Sequence, residues 1–305
     1  MSETFDSYAL VAIYSAMGVY VLAFIFFTLE LARRSAANVQ SADGTAVLIT
    51  DSEPAGGSRR MERIAFALTA LAWVLHVVGA VLRGLAIGHV PWSNMFEFSL
   101  VSSGIVVGVF LFLQLWQDLR FLGTYISGFT LIVLGVGTVY FYVPVMPLPP
   151  ALQSYWLVIH VFVASLGTAF LGVGAGLSIV QLLQTRREAG TLTRLKFLDT
   201  MPSAEKLENL AYRVIVIGFV FWTFTLIAGA IWAGRAWGRY WGWDTKEVWT
   251  FIIWVLYAGY IHARATRGWR GTRSAWLALV GFGAIAFNYT IVNLFFKGLH
   301  VYSGL

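Results

Sequence analysis

The sequence predicts an all-α, polytopic membrane protein with about eight transmembrane helices and both termini extracytoplasmic. Composition, the length of the apolar runs and the placement of charge carry that prediction. Of the 305 residues, 58% are hydrophobic, 16% aromatic and 12% charged, and mean hydropathy is +0.73. A soluble domain has about 25% charged residues, so a chain this apolar needs lipid around it. The chain has no cysteine, which excludes disulfides, thiolate metal ligands and a cysteine nucleophile. A net charge of +6 and a pI near 9.6 would suit nucleic acid if the charge formed a basic face. The charge is instead distributed by topology.

A transmembrane helix needs about 20 mostly apolar residues, and runs of that kind lie at 8–32, 64–87, 96–116, 122–142, 156–183, 211–233, 248–265 and 274–296. The first follows MSETFDSYAL, which has Glu3 and Asp6 but no basic residue. It lacks the charged opening of a secretory signal, so this helix is expected to remain in the mature protein. The fourth is the weakest, interrupted by Gly123, Gly128, Gly135 and Gly137. In the fifth, Gly172 and Gly176 have the spacing of a helix-dimer motif, although close packing within the chain explains it more simply.

Alternate connections differ sharply in charge. One set carries Arg33, Arg34, Arg59, Arg60 and Arg63, then Arg120, then Arg186, Arg187, Arg194, Lys196, Lys206 and Arg213, then Arg264, Arg267, Arg270 and Arg273. The other set is left with Arg83, Arg235, Arg239, Lys246 and Lys297. Short cytoplasmic loops are enriched in Lys and Arg, so the first set is inside. The 33–63 loop is polar, with too few apolar residues for a core of its own. The 184–210 loop has a weak helical pattern at Leu192, Leu195 and Leu198 and is expected along the inner surface. The whole of 1–305 reads as one membrane unit.

The unusual residues are outside. Outer segments include GHVPWSN at 88–94, the 234–247 loop GRAWGRYWGWDTKE and the terminal KGLHVYSGL. Trp232, Trp237, Trp241, Trp243 and Trp249, five of the 13 tryptophans, cluster around that loop. An interfacial aromatic belt explains tryptophan alone. It does not explain glycines interleaved with the aromatics, or Asp244, Lys246 and Glu247 placed just before a helix. Glycine admits close backbone approach, Trp and Tyr offer flat faces, and Asp244 suits an N-cap for the seventh helix. The string is compatible with a platform for a large planar aromatic ligand and with an ordinary interfacial loop.

The histidines can be placed by helical rise. His160 lies roughly 6 Å below the outer end of the fifth helix, and His300 follows the eighth. The two bracket the aromatic loop, and imidazoles are common axial ligands of heme iron; singly, each is also an ordinary interfacial histidine. His262 and His76 lie deeper, at roughly 21 and 18 Å, where ionisable groups face a bundle interior or a pathway. They could form a second pair within the chain, or be independent, with one a packing histidine. His89 reads as a loop or substrate-contact residue. A structural ion pair is expected between Glu97 and Arg83, and Asn288 and Asn293 are expected to hydrogen-bond across the bundle. Phosphate-loop, HExxH and serine-triad signatures are absent, so the chemistry should come from a bound group.

The segment WGRYWGWDTKEVWTFIIWVLYAGYIHAR at 237–264 resembles the tryptophan-rich "WWD" signature of the heme-handling proteins of cytochrome c biogenesis. It is most similar to the CcsA (ResC) branch of system II, and more distantly to CcmC and CcmF. GHVPWSNMFE at 88–97, SYWLVIHV at 154–161 and NLFFKGLHVYSG at 293–304 extend the resemblance over nearly the whole chain, apart from residues 35–58.

The resemblance implies that heme b is moved to the extracytoplasmic face, held there, and joined to the cysteines of a C-x-x-C-H motif in apocytochrome c. It matches His160 and His300 to the outer axial ligands. Trp237, Trp241, Trp243 and Asp244 match the heme-cradling loop, and His262 a transient site within the membrane. In the family that inner site is completed by a histidine of the CcsB (ResB) partner, which leaves His76 a candidate without an assigned role. The chain lacks that partner's large extracytoplasmic domain, so a separate CcsB is expected. The pair would form a holocytochrome c synthase in a bacterial plasma membrane or a thylakoid membrane, surrounded by lipid and with no nucleic-acid partner. The alternative is a transporter of another small hydrophobic solute, with the tryptophan loop as its gate.

Overall fold

The computed structural model describes residues 1–42, 55–148, 152–266 and 268–300. The middle of the polar 33–63 loop, Pro149 to Ala151, Arg267 and the terminal VYSGL lie outside the described residues. The described chain is helical without strands: α1 (Ser2–Ala42), α2 (Ala55–Ile87), α3 (Met95–Leu113), α4 (Gly123–Tyr140), α5 (Tyr155–Glu188), α6 (Ala204–Trp237), α7 (Thr245–Ala265), α8 (Thr272–Tyr289) and the short α9 (Ile291–Phe295). Among the described residues, seven spans are long and apolar enough to cross a membrane, the seventh covering α8 and α9 together. The remaining long helix, α7, has 21 residues, or about 30 Å. It is less apolar because it carries Lys246, Glu247, His262 and Arg264. The protein is a multi-pass membrane protein, as the sequence predicts.

Successive helices pair as hairpins, α1 with α2, α3 with α4, α5 with α6, and α7 with α8. α1 also packs on α4, and α5 on α3 and α8. Small residues allow the closest approaches. A Cβ on Gly174 of α5 would lie 2.4 Å from Ile215 of α6. Gly172 and Gly176 receive the rings of Phe282 and Tyr125, so their spacing serves packing within the chain. The glycine-rich α4 forms in full because its glycines accommodate neighbours; Gly123 lies against the Phe27 ring, 2.4 Å from where a Cβ would be. One continuous core results, with Tyr20, Phe96, Phe110, Leu134, Ile215 and Tyr257 buried in it.

Several helices outrun their apolar stretches. α1 has 41 residues, and α5 and α6 have 34 each, so the latter two reach about 51 Å against a hydrocarbon core of about 30 Å. α1 and α2 accordingly continue into the 33–63 segment that hydropathy marks as loop. Between α5 and α6 the leucine pattern becomes a 3-10 turn, Lys196–Thr200, which buries Leu198 and packs on α1. Arg187 and Asp199, 2.7 Å apart, tie this connection together. The run predicted as one helix at 274–296 is broken at Thr290. Its hydroxyl donates to the Ala286 carbonyl at 2.7 Å, a back-bond that bends helices.

Charged residues in the bundle are paired at both ends. Arg264 of α7 meets Glu208 of α6 at 2.7 Å, both buried. At the other end Arg83 of α2 is buried between Glu97, at 2.9 Å, and Asp6, at 2.6 Å. The ion pair expected between Arg83 and Glu97 is therefore present, with Asp6 as a third member.

Candidate functional site

Helices α3 to α8 surround a cavity of about 550 Å³, within the range of about 300–1,000 Å³ usual for ligand sites. His160, Trp241, Lys246 and His300 all line it, as do Trp92, Trp232, Tyr289 and Asn293. The rest of its wall is largely apolar, including Val106, Ile132, Leu157 and Ile285. Sequence reasoning placed the two histidines on either side of an aromatic loop; the structure places them in one cavity.

Ser154 starts α5 by accepting from the Trp156 amide, which sets His160 in the second turn. Leu152, Leu157 and Trp232 form a small buried cluster at this end of the bundle, separate from the main core. The His160 ring lies 5.5 Å from Trp232. On its other side is Gly229 of α6, where a Cβ would come within 2.8 Å of His160 Cε1. His160 Nδ1 is buried and makes no hydrogen bond among the described residues, although the Thr225 carbonyl is nearby. Buried polar nitrogens are normally satisfied, and an imidazole nitrogen that only a nearby backbone carbonyl approaches suits an incoming ligand.

Aromatic rings connect the two histidines. Trp232 lies 6.1 Å from Trp237, and Trp237 stands edge-on to His300 at 4.8 Å. His300 is fixed from the opposite side by Asp244, whose Oδ2 is 2.7 Å from Nδ1. Asp244 also accepts from the Leu299 amide at 3.2 Å and begins α7 in a reciprocal capping box with Glu247. The predicted cap is thus present, and its carboxylate also orients a histidine. Carboxylate-to-histidine pairs of this kind fix the tautomer of a metal-binding imidazole. With the proton on Nδ1, the lone pair is on Nε2. Burial holds the His300 imidazole below the ordinary histidine range, with Asp244 pulling in the opposite direction.

The loop itself is held by its glycines and by Glu247. Gly238 ends α6 in the left-handed region, and Glu247 accepts from the amides of Gly242 and Asp244 at 2.8 and 3.0 Å. Trp241 lies on the cavity wall, whereas Trp243, at φ +60, is 73% exposed and stands edge-on to Trp241. A non-glycine residue at positive φ is costly and typical of functional loops.

The deeper histidines are not brought together. His76 is buried, with Nε2 2.7 Å from the Leu100 carbonyl and Nδ1 3.3 Å from the Tyr20 hydroxyl. Both of its nitrogens are engaged as a packing histidine's would be. His262 is exposed on α7, which packs on α6 and α8. His89 is half-buried in the outer loop, its Nδ1 2.9 Å from the Val90 carbonyl. Gly229 is a site residue that motif reading did not single out, and Lys246, Asn293 and Trp232 were noted in the sequence without being assigned to the site. Lys246 donates to Asn293 Oδ1 at 2.5 Å and to the Asn288 carbonyl at 3.0 Å.

The family model "Cytochrome C assembly protein" matches residues 59–300. The chain belongs to that family. Its α6–α7 loop and both cavity histidines fall within the matched region. The cytochrome c biogenesis protein CcsA of Prochlorococcus marinus is 36% identical over 266 residues, covering 77% of this chain and 82% of its own length. CcsA of Guillardia theta is 34% identical over 259 residues, covering 79% and 86%. Among solved structures, the cytochrome c heme lyase CcmF shares the fold with a TM-score of 0.66 at 17% identity, over 93% of this chain. This chain spans 46% of that CcmF chain.

The Asp244–His300 contact makes a pH prediction for this assembly protein. Asn caps helices about as well as Asp, so Asp244→Asn should retain α7 while removing the charge that raises the His300 pKa. Protonation competes with ligation, and a lower pKa moves that competition to lower pH. Were His300 a metal ligand, acid would displace it in wild type only below the ordinary histidine value of about 6.5. In Asp244→Asn displacement should begin lower still, with affinity at pH 7 reduced about 10–100-fold by loss of orientation. A pH titration of the ligated spectrum reads both effects; an acid limb moved upward would contradict the assignment.

Proposed function

We propose that this chain works in cytochrome c biogenesis by binding heme b at its extracytoplasmic face and presenting it for covalent attachment to apocytochrome c. The observation that carries the reading is the convergence of His160 and His300 on one apolar cavity through Trp232 and Trp237. The family relationship supports the process, and the residues present suit the substrate. His160 offers a buried nitrogen without a hydrogen bond, His300 an oriented one, and imidazole is an established axial ligand class for heme.

In this reading heme is the substrate, and its two vinyl groups receive the two thiols of a C-x-x-C-H segment. Each sulfur bonds to one vinyl carbon while hydrogen adds to the other, so the chain supplies orientation rather than electrons. His160 and His300 hold the iron from the two sides, keeping oxygen off it. Trp237 and Trp241 set the plane of the macrocycle, and Asp244 keeps the His300 lone pair directed. The histidine of the C-x-x-C-H segment then replaces one of them, which releases the product. A CcsB/ResB-type membrane partner completes the synthase, with His262 exposed on α7 where a second chain can reach it. The membrane is a bacterial plasma membrane or a thylakoid membrane.

The test is a reduced-minus-oxidised absorption spectrum of the purified protein, co-expressed with a CcsB-type partner. A noncovalent bis-histidine heme signal is expected. His262→Ala should lower heme loading at the outer site without changing the shape of that signal. Protein devoid of porphyrin would instead favour transport of another hydrophobic solute, with the tryptophan loop as its gate.

A further inference from the structure

Lys246 is the cavity's unexplained charge. It is in the first turn of α7 and lines the cavity, half-buried, in a wall that is otherwise largely apolar. Its ammonium has three donors, and the two hydrogen bonds it makes go to neutral oxygens, those of the Asn293 side chain and the Asn288 backbone. The buried arginines are arranged differently. Arg83 has Glu97 and Asp6 within 2.9 Å, and Arg264 has Glu208 at 2.7 Å.

Two carboxylates are near Lys246 in sequence, yet both are occupied elsewhere. Asp244 serves His300 and the Leu299 amide, and acts on Lys246 only through space. Glu247 faces the loop amides, with Arg239 3.7 Å away. Among the described residues no carboxylate contacts Lys246 directly, and holding an ammonium in an apolar wall without a direct counter-ion is costly. That cost is recovered when the occupant of the cavity brings a negative charge. The α7 N-terminus, positive by its dipole, adds to the same preference.

We infer that Lys246, positioned by Asn293, is the binding residue for a carboxylate side chain of the porphyrin, and so fixes which edge of the macrocycle enters the cavity. The inference rests on the heme reading above and adds an orientation to it. With one acidic edge anchored at Lys246 and the iron between the two histidines, rotation of the ring about the iron axis is stopped. The choice of edge then determines where the vinyl groups emerge.

The test compares binding of hemin and of hemin dimethyl ester, whose carboxylates are neutral, to the detergent-solubilised complex. Wild type should bind the free acid at least about tenfold more tightly than the ester, the scale of a charged hydrogen bond. Lys246→Met should bring the ratio close to one, and Lys246→Arg should keep it. Asn293→Asp supplies the missing charge from within the protein and should also erase the preference. Should Lys246→Met fail to fold, Asn293→Asp and Lys246→Arg still decide the matter. Equal binding of acid and ester by wild type, or a preference retained in Lys246→Met or Asn293→Asp, would overturn the role of Lys246 and leave heme binding standing. Failure of every form, wild type included, to bind either porphyrin would remove the heme reading and this inference together.

Discussion

Alanine at His160 or at His300 is expected to eliminate the bis-histidine heme spectrum, with affinity reduced at least about 100-fold. Removing a residue that only orients a metal ligand typically costs 10–100-fold, and these two are assigned as the ligands themselves. The two variants should differ in how well they recover. His160 is enclosed between Trp232 and Gly229, so its removal leaves a shaped space that exogenous imidazole can enter, and part of the spectrum should return. At His300 an exogenous imidazole would also have to recover the Asp244 contact and the edge-on packing of Trp237, so rescue should be weaker. His76→Ala is the matched control. Both of its ring nitrogens are engaged by Tyr20 and Leu100, so the change should lower stability and leave the spectrum intact. Wild-type spectra from both His160→Ala and His300→Ala would end the axial assignment.

Much of this architecture was legible in the sequence because bilayer physics is nearly one-dimensional. Runs of about 20 apolar residues find helices, and placing Lys and Arg on one side orders them. Asp244 could be read as a cap because capping depends on only a few neighbouring residues. What hydropathy misses is helix that continues in water, as in α1 and α2 beyond their apolar stretches, and the break at Thr290, which depends on one side chain's bond to Ala286. The site was half legible. Histidine and tryptophan types on one side of the membrane suggested it, but the route from His160 through Trp232 and Trp237 to His300 joins three segments whose contact depends on how α5 and α6 pack. Gly229 is ordinary in sequence and becomes informative only opposite an imidazole. Lys246 was visible in the motif, yet its lack of an ion pair emerges only once Asp244 and Glu247 are seen to face other partners.

The second large effect is expected at the buried Arg83 cluster near the outer ends of α1 to α4. Arg83 donates to Glu97 at 2.9 and 3.3 Å, to Asp6 at 2.6 Å and to the Val143 carbonyl at 2.8 Å, while 1% exposed. Through these bonds one guanidinium joins the start of α1, the end of α2, the first turn of α3 and the strand-free segment after α4. Tyr142 adds a bond to Asp6, and Ser93 two bonds to Glu97. Arg83→Ala strands two carboxylates that no other cation among the described residues meets, and breaking a buried ion pair from one side costs about 3–5 kcal/mol. Glu97→Gln should be milder, because Asp6 still neutralises the arginine and the amide still fills the space. Removing all three charges together should recover part of the loss, since the penalty lies in the unpaired ions and not in the absence of a bridge. Thermal unfolding in detergent orders the variants. Arg83→Ala as stable as Glu97→Gln would show that the cluster is solvated and contributes little. If instead Arg83→Ala unfolds early while a low-temperature preparation still binds heme, the cluster stabilises the outer ends of α1 to α4 without being needed to shape the cavity that α3 to α8 line.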